Sequence, residues 1–285
     1  HYVFGKKVFK IQSSKVKQII KHHKELYLIG LHGPDIFFYY EPFSKNTVNQ
    51  MGNDLHDRSG FSFFAPAADI IRKQKHAPDT GISAEALTAY ILGFLCHFSL
   101  DTCCHGYIEK KMAVSHLSHI AIETEFDRRL LVKDGFSPYK HRLTSHIRPS
   151  GKVSAHIACF FPEVSKKQVS ISLKTMIFCD KLLLTPNRLK RSLISNGMRL
   201  FGCYENFHDL VMKEKPDPRC IDSNMRLEKL MQKAIPLCLS LTESFLSYLE
   251  ESNTLDVAFT RTFGPDNDWK SIPVYEPSEE QHYEI

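Results

Sequence analysis

The sequence predicts an all-α protein, a multi-helix bundle with additional helices toward its C-terminus. Three observations predict it. Apolar residues recur at three- and four-residue spacing along most of the chain. Helix-capping serines, Ser44 and Ser83, stand ahead of such runs. Strand-like alternation is confined to Val169–Leu173, inside a helical context. With 285 residues, 42% of them apolar, the chain is long enough to bury a core.

The elements follow in order. Val3–Ile11 is amphipathic, and Lys15–Leu28 continues at helical spacing. Gly30-Leu-His-Gly-Pro-Asp35 is a cluster of helix breakers and reads as a loop. Ser44 is expected to cap a helix reaching Asp57, and Phe63–Lys75 gives the next. Ser83 caps a long run through Ile108, with Glu85 in its first turn, where an acid favours the helix dipole. His116–Lys133 is helical until Asp134-Gly135 and Ser137-Pro138 end it. The polar link Arg148-Pro-Ser-Gly151 follows, then helices at Val153–Phe161, Lys166–Leu184, Pro186–Leu200 and Asn224–Ser252. This gives an N-terminal helical region over 1–148, which carries the candidate site residues considered below, a helical region over 149–252 packed in the same domain, and an irregular tail over 253–285.

Composition excludes several classes. A net charge of +5 favours an anionic substrate or surface, but no dense Lys/Arg block and no nucleic-acid motif is evident. The eight cysteines form no CxxC pair, against a zinc ribbon or a thioredoxin-like site. They read as reduced small hydrophobes, which points to the cytoplasm rather than to secretion. No signal peptide is seen, and the longest apolar run, Ala86–Cys96, is too short for a transmembrane segment.

Histidine is the anomaly: ten of fifteen fall between His1 and His119. In His97-x3-Asp101-x3-His105 successive residues are four apart, so each turns only about 40° around a helix and the three share one face. Apolar neighbours require such groups to be paired, desolvated or metal-bound; local i, i+4 pairing is the bland alternative. His119-x3-Glu123 repeats the geometry, with Asp127 on the same face. His116 lacks an acid four residues on and is set aside. Asp35, in a loop beside apolar residues, suits a general base or simply a helix cap. His56 stands near a helix end, as a ligand or a surface histidine. His1 can offer its imidazole and its amino group. Phe37, Phe38, Tyr39 and Tyr40 form either a wall for an acyl chain or nucleobase, or plain core.

These pieces occur in one order: His1-Tyr-Val-Phe, Gly30-Leu-His-Gly-Pro-Asp-Ile-Phe-Phe-Tyr39, Gly52-Asn-Asp-Leu-His56, Ala89 through His105, and His119-Ile-Ala-Ile-Glu123. Together they resemble the zinc-dependent phospholipase C family, whose all-α fold is shared with the trinuclear zinc single-strand nucleases. The resemblance covers roughly residues 1–130. It implies a zinc-dependent phospholipase C-like bundle with zinc ions held by His56, His97 and Asp101, and by His105, His119 and Glu123. A third would take His1, with Asp101 bridging. Bacterial members add an upstream Trp to that third site, so two or three zinc ions per chain are expected. Asp35 is implied as the base. The implied reaction is phosphodiester hydrolysis releasing a phosphorylated headgroup, with phospholipid or another phosphodiester as substrate. A nuclease or small-molecule phosphodiesterase on the same fold is the alternative, as is a non-catalytic metal-binding protein. No cluster of four or more Lys/Arg is apparent to hold an anionic membrane, so short-chain soluble diesters are expected ahead of bilayer lipid.

Overall fold

The helices, in chain order, are α1 (Tyr2–Ile11), α2 (Ser14–His22), α3 (Lys24–Gly30), α4 (Thr47–Asp57), α5 (Gly60–His76), α6 (Ala84–Ser115), α7 (His119–Lys133), α8 (Gly151–Ala158), α9 (Lys166–Leu183), α10 (Arg188–Leu200), α11 (Tyr204–Phe207), α12 (Ile221–Leu249) and α13 (Pro277–Glu280). They come from a computed structural model that describes residues 1–77, 81–251 and 253–285. A 3-10 helix spans Gly33–Tyr39, and the tail carries two more short ones. Among the described residues the one β-type pairing is an isolated bridge, Ser59 to Thr262. The fold is all-α, and Val169–Leu173 lies inside α9.

Local chemistry sets the helix ends. Ser13, Ser118, Ser150 and Asn187 each accept a hydrogen bond from the backbone N–H three residues on, satisfying one of the donors every helix leaves open. Several ends differ from expectation. Asn46, not Ser44, caps α4 by accepting from Asn49 N–H; Ser44 instead bonds the Glu41 carbonyl. His23 leaves helical geometry at φ −124°, ψ 42° and splits the expected Lys15–Leu28 helix in two. His116 takes φ 56°, a left-handed stop, so α6 ends at Ser115 and α7 starts only at His119. The expected loop Gly30–Asp35 winds instead into the end of α3 and the 3-10 helix. Ser252, the expected end of the last long helix, lies outside the described residues.

The chain divides into two compact units that interleave in sequence. One comprises His1–Cys103, His146–Met176 and Met231–Asp266; the other comprises Cys104–Ser145, Ile177–Leu230 and Asn267–Ile285. The first unit is organised on aromatic rings. Phe64 meets Phe94, Phe98, Phe245 and Phe259 edge-on, with centroids 5.0–6.1 Å apart. Burying each such ring contributes about 1.5–3 kcal/mol. Helices α3 and α6 cross at two glycines: a methyl group on Gly30 would lie 2.2 Å from the Tyr90 carbonyl oxygen, and one on Gly93 2.2 Å from that of Tyr27. The second unit is tied by charge. Arg226, wholly buried, donates to both carboxylate oxygens of buried Glu280 on α13 and stacks on Tyr107 and Tyr283.

Helix α6 runs well past the apolar Ala86–Cys96 stretch and is long and apolar enough to cross a bilayer. Since 89% of its apolar window is buried inside the protein, it is a core helix. All eight cysteines are free thiols.

Candidate metal centre

In the first unit, α6 presents His97 and Asp101 from a helix segment that is buried on nearly every side. His97 Nε2 lies 2.9 Å from Asp101 Oδ2, and His1 Nε2, at the start of α1, lies 3.3 Å from Asp101 Oδ1. Asp35, in the first turn of the 3-10 helix, places Oδ1 3.3 Å from His56 Nε2 and 4.0 Å from His97 Nε2. Each of the triads His1, His97, Asp101 and Asp35, His56, His97 offers three ligand atoms within 4.8 Å of one another. Ligands of a tetrahedral zinc ion are about 3.3 Å apart, from bonds of about 2.0 Å.

One buried atom tests the fit. His97 Nε2 makes no hydrogen bond despite its short approach to Asp101, and neither does its Nδ1. A buried imidazole left so costs about 1–3 kcal/mol. A cation coordinated by nitrogen and carboxylate oxygen removes that cost, and imidazole with carboxylate is a donor set that zinc accepts. His156, also wholly buried, shows the ordinary solution: Nδ1 bonds the Lys152 carbonyl and Nε2 accepts from Ser83 N–H.

The neighbours orient these ligands. His56 Nδ1 bonds the Gly52 carbonyl at 2.8 Å, which turns Nε2 toward Asp35. Burial pulls the His56 pKa down, but the hydrogen bond and charge of Asp35, with Asp101 and the Gly52 carbonyl, push it up to about 8. Gly33, at φ +49°, lets the chain pass over the His97 ring; a methyl group there would lie 2.2 Å from a ring carbon.

The second unit holds a third group. His119 Nε2 on α7 lies 3.1 Å from Glu123 Oε1, and His105 Nε2 on α6 lies 3.8 Å from the same oxygen. All three offer ligand atoms within 4.8 Å of one another. Burial would raise the Glu123 carboxyl, but the imidazoles of His105 and His119 beside it hold it well below the usual carboxylate range.

The aromatic run is divided. Phe38 is exposed and stacks on His56 at 5.6 Å, and Tyr39 and Tyr40 are partly exposed. Phe37 departs from the substrate-contact expectation: its side chain is wholly buried, edge-on to Phe161 at 4.7 Å, and belongs to the core.

Sequence reasoning missed two supports. Phe263, from the tail, packs against His56 and His97 with centroids 5.9 and 6.0 Å away. Backbone bonds from Gly60 N–H to Arg261 and from Gly264 N–H to His56 hold the tail there. His146 shares an Nε2–Nε2 hydrogen bond of 2.9 Å with His32, and Tyr2 stacks on its ring at 4.1 Å, fixing the start of α1 beside His1. Burial, then His146, holds His32 well below its ordinary pKa. His32 sits inside the Gly30–Asp35 stretch, a local signal; His146 and Phe263 have none.

The searches of curated proteins and of solved structures return no match. Residues 1–163 match the family model of zinc dependent phospholipase C. That match begins at His1 and runs past every candidate donor, so the chain belongs to the zinc-dependent phospholipase C family.

Proposed function

We propose that the protein is a zinc-dependent phosphoric diester hydrolase that cleaves phospholipid on the diacylglycerol side of phosphorus. The observation that carries this reading is His97: a buried imidazole with no hydrogen bond, 2.9 Å from one carboxylate and 4.0 Å from another. His56, His97 and Asp101 would hold one zinc ion; His105, His119 and Glu123 a second; and His1, with Asp101, a third. Bound zinc supplies Lewis acidity toward phosphate oxygens and eases the deprotonation of water at neutral pH.

The chain's own groups account for the rest. Asp35 is partly exposed, so water reaches its carboxylate. As base it takes a proton from the attacking water while the new P–O bond forms in line and the bond to the glycerol oxygen breaks. That oxygen leaves with a proton as diacylglycerol, and the headgroup leaves as its phosphate monoester. His56, bonded to the Gly52 carbonyl, keeps Asp35 aimed. Phe38 gives an apolar arm of the substrate a surface beside the base.

The test pairs elemental analysis with a substrate panel. Two or three zinc ions per chain are expected, with release of phosphorylated headgroup from short-chain phosphatidylcholine. Absence of metal after chelator-free purification and zinc addition would refute the reading. Faster cleavage of single-stranded nucleic acid than of any lipid would replace it with a nuclease.

A further inference from the structure

Helix α10 has no buried residue, although its sequence is strongly two-sided. Leu189, Leu193 and Leu200 fall at i, i+4 and i+11, on one face. They are 72%, 64% and 82% exposed, and Phe201, which ends the helix, is 82% exposed. Arg191 points the other way and anchors the helix through the Met212 carbonyl and the Thr185 hydroxyl. The leucine stripe therefore faces away from the rest of its unit.

Charge says what covers it. Between Lys166 and Cys203 stand eight Lys/Arg and one acid, Asp180. Asp180 is engaged by the Thr144 hydroxyl and by backbone N–H groups. On α10 itself are Arg188, Lys190, Arg191 and Arg199, with no acid. Lys190 bonds the carbonyls of Lys181 and Leu184, and Arg199 reaches the Asn196 side chain and the Tyr204 ring. Those partners fix the side chains without cancelling their charge. An apolar stripe flanked by unneutralised cations matches the boundary between acyl chains and anionic headgroups, where leucines insert and cations meet phosphate. A protein partner would need a matching acidic groove; a bilayer supplies both chemistries on a flat face that a straight helix can meet along its length.

We propose that α10 docks the protein on anionic lipid surfaces, lying in the interface with Leu189, Leu193, Leu200 and Phe201 inserted. The docking rests on the helix alone; only its benefit to turnover of bilayer lipid rests on the function proposed above. It replaces the expectation that no basic cluster is present to hold a membrane. The cations of the helix are spread over twelve positions of sequence; Arg188, Lys190 and Arg199 fall to either side of the stripe, and Arg191 lies opposite it.

The experiment is co-sedimentation of the zinc-loaded protein with vesicles of phosphatidylcholine alone and of equal parts phosphatidylcholine and phosphatidylserine. Binding is expected to the mixed vesicles, weaker to phosphatidylcholine, and to fall as salt rises. Leu193→Glu and Leu200→Glu should each weaken it about tenfold or more. Arg188→Glu should weaken it about fivefold or more. All three variants should keep the unmodified rate on a soluble short-chain diester. Equal sedimentation of variants and unmodified protein overturns the proposal. So does a dimer in solution that Leu193→Glu dissolves, or single-stranded nucleic acid binding that the same variants abolish. If vesicle binding follows the pattern while no diester is cleaved, the docking stands and the proposed function falls.

Discussion

The groups around His97 and around Glu123 use the same residue types and differ in burial. His97 and Asp101 side chains are 0% and 3% exposed, whereas His119 and Glu123 are 33% and 44% exposed. Glu123 stands 3.1 Å from His119 and 3.8 Å from His105, and the two imidazoles draw its pKa down. The imidazole of His97 makes no hydrogen bond. Burial thus turns one donor set into a site that lacks something without a cation, while the other lies open to water. The lesson is that ligand spacing alone ranks the two groups equally, and the surroundings separate them.

The comparison breaks most sharply at Asp101, whose carboxylate faces both His1 and His97. Asp101→Asn should lower turnover about 1,000-fold, the several kcal/mol that a metal contributes. Metal content should fall with it; full metal retention by elemental analysis would show that Asp101 is not a ligand. Asp35→Asn should cost about 100-fold in kcat, the scale of general-base help, while most of the metal stays bound. If it empties the site instead, base and ligand roles are exchanged.

Stepwise chelation sharpens the contrast. The open Glu123 group should release its ion at about tenfold lower chelator than the His97 group, since only the latter gives up a buried, uncompensated imidazole on release. The melting temperature should drop mainly with the second ion. A drop that tracks the first ion, or a melting curve indifferent to both, would remove burial as the distinction.

The smallest effect is in the zinc-free protein. His56, raised from 6.5 to about 8, binds its proton more tightly folded than unfolded, so its stabilisation is full below 6.5 and is lost as pH rises through 8. Across that interval the loss is about 1 kcal/mol. His32, lowered by burial, has the opposite sign: its contribution is present above 6.5 and lost as pH falls. Between them stability should peak near pH 6.5. Denaturant titrations of the stripped protein at several pH values measure this, and His56→Gln should flatten the alkaline side; an unchanged slope in that variant would assign the loss to another group.

Much of this was legible in the sequence because it is local. Helical periodicity gave the helices, and four-residue spacing put His97 and Asp101 on one face of α6 and His119 and Glu123 on one face of α7. Ends were harder. Asn46 and Ser44 are both good caps, and only the bond from Asn49 N–H selects between them. The contribution of Phe263 was invisible, because it meets His97 across more than 160 positions of chain. The exposure of α10 was invisible for a different reason. A two-sided pattern announces a helix with an apolar face, and only the fold reveals that nothing covers it.

The crossing of α3 and α6 has one more consequence. Asp35 lies five residues beyond Gly30, and His97 four residues beyond Gly93. Both are therefore measured from the same point, where two backbones touch with no side chain between them. In an engineer's sense this is a shared datum. Tolerances in ring packing do not accumulate along the path from one carboxylate to one imidazole, because that path follows a few residues of backbone on each side of the crossing rather than passing from ring to ring. A reaction in which about 1 Å of misplacement can cost about 100-fold gains from a reference surface that has no rotamers to vary.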